Sequence, residues 1–404
     1  MQESDFTRDA PGRLVRNLSG QLAFVPNPLP ALLAWDNELG TVLSAAERAI
    51  GRLAGIGQTL PDPRIVLRSF LRREAELSSR IEGTFANFKQ MVLFEQNEWV
   101  EQGVPDVREV VNNEQALSYG LEAVQKHSRP VSLSLLKEMH AVLMRGVRGE
   151  DKQPGQFRTV QAHIGRSDRI ADARFVPAPP LLVSDLMADL EAFFGSSSDL
   201  PPIARSAMIH YQFEAIHPFA DGNGRIGRVL ILLLLCAEGV LPIPLLNPSA
   251  FLQRERTEYY RHMLDVSQRG DWTSWVKFFA RGIASEALDA VERIERLKRL
   301  QAEYYARLQS ARVSSILLRL VDELFVTPAI TVTQAARVLG VGYTSAQKNV
   351  EKLVMARILR KTGNGARNRI YLAEGVVQAV EVLAPARDSR RATGKLLPTR
   401  RKKR

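Results

Sequence analysis

Cysteine is almost absent. Cys236 is the only one in 404 residues, so no disulfide can form within the chain and covalent stapling is excluded as a source of stability. Long apolar runs are missing too: the run Val229 to Ala237 has nine residues, about half of what a helix needs to cross a bilayer. The segment Met1 to Arg16 is polar and lacks the apolar core of a signal peptide. No internal repeat is present. The expected setting is therefore cytoplasmic, with no membrane partner, and Cys236, set in an apolar stretch, is expected to be a buried thiol.

What remains is a globular composition, 45% hydrophobic and 25% charged, long enough for two or three domains. The formal net charge of +11 is unevenly spread. Residues 311–383 hold ten Lys or Arg against five acids, and residues 387–404 hold nine against one. These two stretches carry +5 and +8, which leaves about −2 for everything before them. The basic excess belongs to the C-terminal end.

The most informative stretch is His217-Pro218-Phe219-Ala220-Asp221-Gly222-Asn223-Gly224-Arg225-Ile226-Gly227-Arg228. Apolar residues recur at helical spacing from Ile203 to Ala215, and Val229 to Ala237 is apolar enough for a buried helix, so the stretch is a loop between two helices. Gly222 and Gly224 let the backbone turn its amides toward an anion, and the second helix, starting near Gly224, adds its free N–H groups at the same point. Arg225 and Arg228 lie three apart on that helix and can grip different phosphates. Asp221 is placed to hold Mg²⁺ across those phosphates, and His217 is the natural general base. Gly222, Gly224 and Gly227 also satisfy G-x-G-x-x-G, but His217-Pro218 makes a poor buried strand, which argues against a dinucleotide fold. A plain glycine turn with a capping Asp would not need this many chemical groups.

The stretch matches, position for position, the His-x-Phe-x-Asp/Glu-Gly-Asn-Gly-Arg-x-x-Arg signature of Fic-domain proteins, most of which transfer AMP from ATP to a protein hydroxyl. The resemblance implies a mainly α fold: a helical core with a small β-hairpin flap, and ATP as substrate with Mg²⁺. It casts His217 as base and Asp221 as metal ligand. Gly222, Asn223, Gly224, Arg225 and Arg228 become phosphate ligands. The family pattern also places an adenine-stacking ring after the motif, where Tyr260 follows Tyr259 on a helix read from Gln253 to Gln268.

Two further segments fit that family. Ser78-Ser79-Arg80-Ile81-Glu82-Gly83 resembles its Ser/Thr-x-x-x-Glu-Gly/Asn inhibitory motif, which implies that Glu82, with Ser78, pairs with Arg228 and excludes the γ-phosphate. Pro154-Gly155-Gln156-Phe157-Arg158 leads into two short stretches, Val160-Gln161-Ala162-His163-Ile164 and Arg174 to Val176, which read as strands around a turn at Gly165, Ser167 and Asp168. They resemble the Fic flap, whose edge receives a target peptide as an added strand.

The division expected from the chain is an N-terminal region, 1–110, mainly helical after the proline-containing entry Phe24 to Pro30, then a catalytic core, 111–284. An amphipathic connecting helix, 285–310, follows, with Leu288, Val291, Ile294 and Leu297 near helical spacing. Residues 311–383 read as three helices, Ile316 to Leu324, Val332 to Leu339 and Tyr343 to Ala356, and a hairpin, Ile358 to Lys361 and Arg369 to Leu372, about Asn364-Gly365. That order resembles a winged helix-turn-helix. Lys348, Lys352, Arg367 and Arg369 are candidates for DNA phosphates, and Gln347 and Asn349 for base edges. Winged helices also dock proteins. Residues 384–404 are a basic tail expected to be disordered.

Other readings stay open at this level. The site could remove AMP or transfer phosphate, or the chain could be a DNA-bound regulator that senses nucleotide. The protein target is not readable, and a homo-oligomer is compatible with everything above.

Overall fold

The computed structural model describes residues 1–96, 105–165, 169–196, 199–310, 316–362 and 369–381. The chain starts with a hairpin of β1 (Gly12–Arg16) and β2 (Leu22–Pro26), then turns helical with α1 (Asn37–Gln58), α2 (Arg64–Ile81) and α3 (Phe88–Phe94). The middle is formed by α4 (Pro105–Gln125), α5 (Leu133–Leu143), α6 (Pro180–Gly195), α7 (Pro202–Ile216) and α8 (Asn223–Ala237). It continues with α9 (Pro248–Arg254), α10 (Arg256–Arg269) and α11 (Trp272–Ser310). The C-terminal part runs α12 (Ile316–Val326), β3 (Ala329–Thr331), α13 (Val332–Leu339), α14 (Tyr343–Met355), β4 (Arg360–Thr362), β5 (Ile370–Leu372) and α15 (Glu374–Glu381). The fold is mainly helical with two small antiparallel sheets, the second in the order β3-β5-β4. No helix among the described residues is long and apolar enough to cross a membrane.

At the centre, α7 packs against α8. Ile226 and Val229 to Cys236 are buried on every side of α8, because α4, α5, α7 and α9 surround it, and each such aliphatic side chain contributes about 1.5–3 kcal/mol by leaving water. Asp36 starts α1 by accepting from the amide of Leu39 at 2.7 Å, and Leu39, Leu43, Ala46, Ile50 and Leu53 then turn one stripe toward α11.

The helix α2 obeys a different rule. It is buried although Arg72, Arg73, Glu74 and Glu76 lie on it, and each is met by a polar partner. Arg72 pairs with Glu95 and lies 3.5 Å from Glu114, Arg73 pairs with Glu76 at 2.8 Å, and Glu74 accepts from Ser249. Its first half touches the C-terminal part, where Arg68 donates to Thr327 at 2.9 Å and Arg72 to the carbonyl of Val326 at 3.4 Å.

Several sequence expectations need correction. The first 36 residues include the β1–β2 hairpin, formed where alternating residues and a turn at Asn17 to Gly20 close the strands. The boundary at 284/285 falls inside one continuous helix, α11, because the apolar stripe of Val291, Ile294 and Leu297 continues that of Trp275, Phe279 and Ile283. The helix expected from Gln253 to Gln268 breaks at Glu255. Asn364, Gly365, Arg367 and residues 384–404 lie outside the described residues.

Candidate active site

The helix α7 ends at His217, whose backbone is left-handed at φ 55°, ψ 62°, and whose amide donates back to the carbonyl of Phe213. This turns the chain sharply into the loop before α8. Asn223 locks that loop: its side chain accepts from the Phe219 amide and donates to the Phe219 carbonyl, both at 2.8 Å. Gly222, left-handed at φ 75°, is the N-cap of α8 and supplies no side chain to satisfy the first helical amides. The end of a buried helix is thus left presenting N–H groups, as an anion site requires. The side chain of Asn223 is spent on the loop, so only its amide is available to a phosphate.

Behind the loop stands His140. Its ring stacks on Phe219 at 3.9 Å, its Nδ1 accepts from the Gly155 amide at 2.8 Å and its Nε2 lies 3.0 Å from the Asp221 carbonyl. Burial pushes its pKa down to about 4, so the ring is neutral, with Nε2–H donating to Asp221. The carboxylate of Asp221 has Lys152 at 3.6 Å and Arg225 at 3.6 Å. Among the described residues no group of three or more His, Cys, Asp or Glu could hold a metal unaided. A single partly exposed carboxylate beside a phosphate cradle nevertheless suits Mg²⁺, which completes its shell with water and phosphate oxygens.

The two arginines of α8 point to different neighbours. Arg225 is buried, 3.5 Å from Glu109, and its Nε and Nη1 have no hydrogen-bond partner among the described residues. A guanidinium so poorly satisfied is poised for an anion. Arg228 is satisfied: Nε donates to Oγ of Ser78 at 2.9 Å, and Nη2 to the Ser78 carbonyl at 3.0 Å and to Oε1 of Glu82 at 2.6 Å. Glu82 is the C-cap of α2, followed by left-handed Gly83 at φ 89°. Burial would raise its pKa, but the charge and hydrogen bond of Arg228 outweigh this and hold the carboxyl below its ordinary range. A methyl at Gly224 would collide with Oε1 of Glu82 and stand 2.9 Å from Nη1 of Arg228, so the glutamate lies against the first turn of α8. The short segment after α2 also reaches the other arginine, since Thr84 donates to Glu109 at 2.9 Å.

Nδ1 of His217 lies 3.3 Å from the Glu214 carbonyl, which makes Nδ1 the donor and leaves the lone pair on Nε2. Burial, then the charge of Arg158, pushes its pKa down to about 4, so the imidazole is neutral at pH 7. Glu214 is itself raised to about 8 by burial and faces Arg228 as a neutral acid.

Of the expected site residues, the structure brings Ser78, Glu82, His217, Asp221 and the Gly222–Arg228 turn into one place. Tyr260 is half-buried, with Arg256 5.6 Å from its ring, and its phenol is pushed up by burial and by Glu82; Tyr259 is a core residue bonded to His210 at 2.8 Å. The flap is reduced. Ile164 and Phe175 form one isolated bridge, and Ser167 and Asp168 lie outside the described residues. No ladder extends from that bridge to Val160 because the side chain of Gln161, not the backbone, crosses over, donating to the Pro177 carbonyl at 2.9 Å. The inner arm is backed by β2, where the Phe24 amide donates to the Val176 carbonyl at 2.9 Å. His140, Lys152, Glu109 and Arg158 were missed; the Gly155-Gln156-Phe157-Arg158 run preceding the flap was the only signal for the last of them.

In the C-terminal part, Asn349 is buried beside Ala346, Val350 and Leu353, which corrects its assignment to base edges: it lies on the core stripe of α14. Gln347 donates to Glu351 at 3.0 Å, while Lys348, Lys352 and Arg369 are exposed.

Residues 41–122 match the Fic/DOC family N-terminal region and residues 130–235 the Fic/DOC family itself. The protein adenylyltransferase fic-1 of Caenorhabditis elegans is 30% identical over 176 residues, 43% of this chain and 31% of that protein. The protein adenylyltransferase Fic of Drosophila virilis is 29% identical over 179 residues, 44% of this chain and 33% of that one. The chain thus matches about a third of the length of these curated relatives. In fold it is similar to a Fic family protein from Desulfovibrio desulfuricans, with a TM-score of 0.57 at 20% identity over 85% of this chain and 98% of the other. It also resembles residues 134–508 of Fic-1 from C. elegans, with a TM-score of 0.51 at 21% identity over 64% and 74%.

Proposed function

We propose that this chain, which carries Fic/DOC N-terminal and Fic domains, is a protein adenylyltransferase that moves AMP from ATP to a Ser, Thr or Tyr hydroxyl and is held inactive by Glu82. The observation that carries the reading is the pairing of an uncapped helix end and an under-satisfied Arg225 with a neutral His217. Nε2 of His217 takes the hydroxyl proton. The oxygen attacks the α-phosphorus, the bond from that phosphorus to the bridging oxygen breaks, and pyrophosphate leaves. Amides of Asn223 and Gly224 and the Arg225 guanidinium stabilise the growing phosphate charge. Asp221 would hold Mg²⁺, which neutralises phosphate oxygens when bound. Arg228 serves the γ-phosphate only after Glu82 leaves it, because one guanidinium cannot bond both bidentately. In this reading Tyr260 meets the adenine ring and the Val160 to Ile164 edge meets a target backbone.

The test is intact mass analysis of wild type, Glu82→Gly and Glu82→Gly/His217→Ala proteins after incubation with ATP and Mg²⁺. The expected result is an AMP-sized gain in the single variant that vanishes in the double one while ATP binding persists. A phosphate-sized gain, or release of AMP from a modified protein, would replace the reading with phosphotransfer or de-adenylylation. No gain in any variant that still binds ATP would favour a nucleotide sensor.

A second reading concerns residues 311–383, the expected winged helix. The helix α14 exposes Tyr343, Thr344, Ser345, Lys348 and Lys352 to solvent, and with Arg369 these supply a basic face suited to DNA phosphates. A gel shift with genomic fragments at low salt tests it; no retardation would make the face a protein-docking one.

A further inference from the structure

Arg158 closes the run Pro154-Gly155-Gln156-Phe157-Arg158, whose Gly155 amide already donates to His140. Its side chain is buried, yet it is in no ion pair with a carboxylate among the described residues. A buried guanidinium must be met by acceptors, and here they are main-chain carbonyls from three separate segments. Nε donates to the His217 carbonyl at 2.7 Å, and Nη2 to the carbonyls of Ala178 at 2.5 Å and Ile216 at 3.3 Å. Nη1 donates to the Val160 carbonyl at 3.1 Å, and the Arg158 amide to the Pro218 carbonyl at 2.8 Å.

We propose that Arg158 is the positioning residue of this site, binding the left-handed turn at His217 to both roots of the Val160 to Val176 segment so that base and target edge move as one unit. The proposal rests on the transfer reading above. A non-glycine residue in the left-handed region persists only where its surroundings hold it, and the two carbonyls flanking that turn's start, Ile216 and His217, are the ones Arg158 takes. Val160 and Ala178 mark where the segment leaves the core and returns to it. The planar fork of a guanidinium can reach carbonyls on both sides at once; an ammonium, a point charge with three rotating donors, cannot hold the same geometry. Reaction between a docked hydroxyl and Nε2 depends steeply on their placement, which is what such a brace secures. Its charge also acts on His217, which faces Glu82 and Asp221 as opposing charges and the Glu214 carbonyl as acceptor.

The two contributions separate by substitution. Arg158→Lys keeps the charge and loses the fork; Arg158→Met loses both. In the full chain carrying Glu82→Gly, Arg158→Lys is expected to lower the self-modification rate at saturating ATP tenfold or more, with KM for ATP within about twofold. In the chain with Glu82 intact, amide hydrogen exchange at Ile164 is expected to quicken in Arg158→Lys, while the His217 imidazole, followed by NMR, titrates as before. Arg158→Met should move that titration upward. A full rate together with unchanged Ile164 exchange in folded Arg158→Lys overturns the proposal, as does a rate loss matched by an equal loss of folded protein. If Arg158→Met does not fold, the lysine variant still decides. If no variant transfers AMP, the transfer reading fails on its own, and Ile164 exchange still reports whether Arg158 holds the segment.

Discussion

Oε1 of Glu82 accepts from Nη2 of Arg228 at 2.6 Å while resting against Gly224 at the start of α8, so one carboxylate occupies both the guanidinium and the helix end proposed to receive an ATP phosphate. Glu82→Gly frees both. We expect its apparent ATP affinity, read by calorimetry, to rise at least about tenfold, roughly 1.4 kcal/mol. Equal affinity in the two proteins would show that the glutamate does not compete with ATP.

Gly224→Ala separates removal of the glutamate from opening of the site. The added methyl collides with Oε1 of Glu82 and so weakens its bond to Arg228, but it stands in the same space. The expected outcome is a protein in which Glu82 holds Arg228 less tightly, yet ATP binding and self-modification do not rise. An Ala variant as active as Glu82→Gly would mean that the phosphate does not approach this turn.

Ser78→Ala removes the acceptor for Nε of Arg228 and leaves that donor buried. The loss of stability in urea denaturation should be about 1–3 kcal/mol. A smaller loss would indicate that water or the Ser78 carbonyl takes over.

Stability should peak between mildly acidic and neutral pH. Burial drives His210 down to about 3, below the ordinary value of about 6.5, so the unfolded chain takes the proton first and stability present above pH 6.5 is lost as pH falls. Burial drives Glu214 up to about 8, above its ordinary 4.5, so the folded chain keeps the proton, and the stability that is full below pH 4.5 is lost as pH rises from there through 8. Glu214→Gln keeps the neutral form at every pH. At pH 9 it should exceed the wild type by on the order of 3 kcal/mol, with parity at pH 4. Thermal denaturation across pH 4–9 measures both limbs, and parallel curves would place Glu214 in water.

If α14 binds DNA, Lys348→Glu and Lys352→Glu should each weaken retardation uniformly across sequences and lower the salt slope by about 1. Unchanged slopes would move the contact elsewhere.

Legibility in the sequence followed the distance over which residues cooperate. The His217–Arg228 turn was readable because one loop and one helix end carry imidazole, carboxylate, glycines and both arginines. Asn349 was misassigned although its own periodicity placed it correctly: Ala346, Asn349, Val350 and Leu353 form one helical stripe, and that stripe faces the core. The flap was read as two strands because alternation signals extended chain, whereas Gln161 and the prolines about Ala178 leave a single bridge.

The helical class, the placement of the glycine-rich turn between two helices and the identity of its chemical groups are local properties, set by hydrophobic period and by the glycines of the turn, and the sequence alone determined them. Tertiary structure decided which groups are free. Glu82 meets Arg228 across 146 positions, Arg158 meets His217 across 59 and His140 meets Asp221 across 81. No periodicity encodes such meetings. They arise because α2, α5, α7 and α8 share one core, which desolvates these groups and leaves each to be satisfied by whatever polar atom the packing brings within reach.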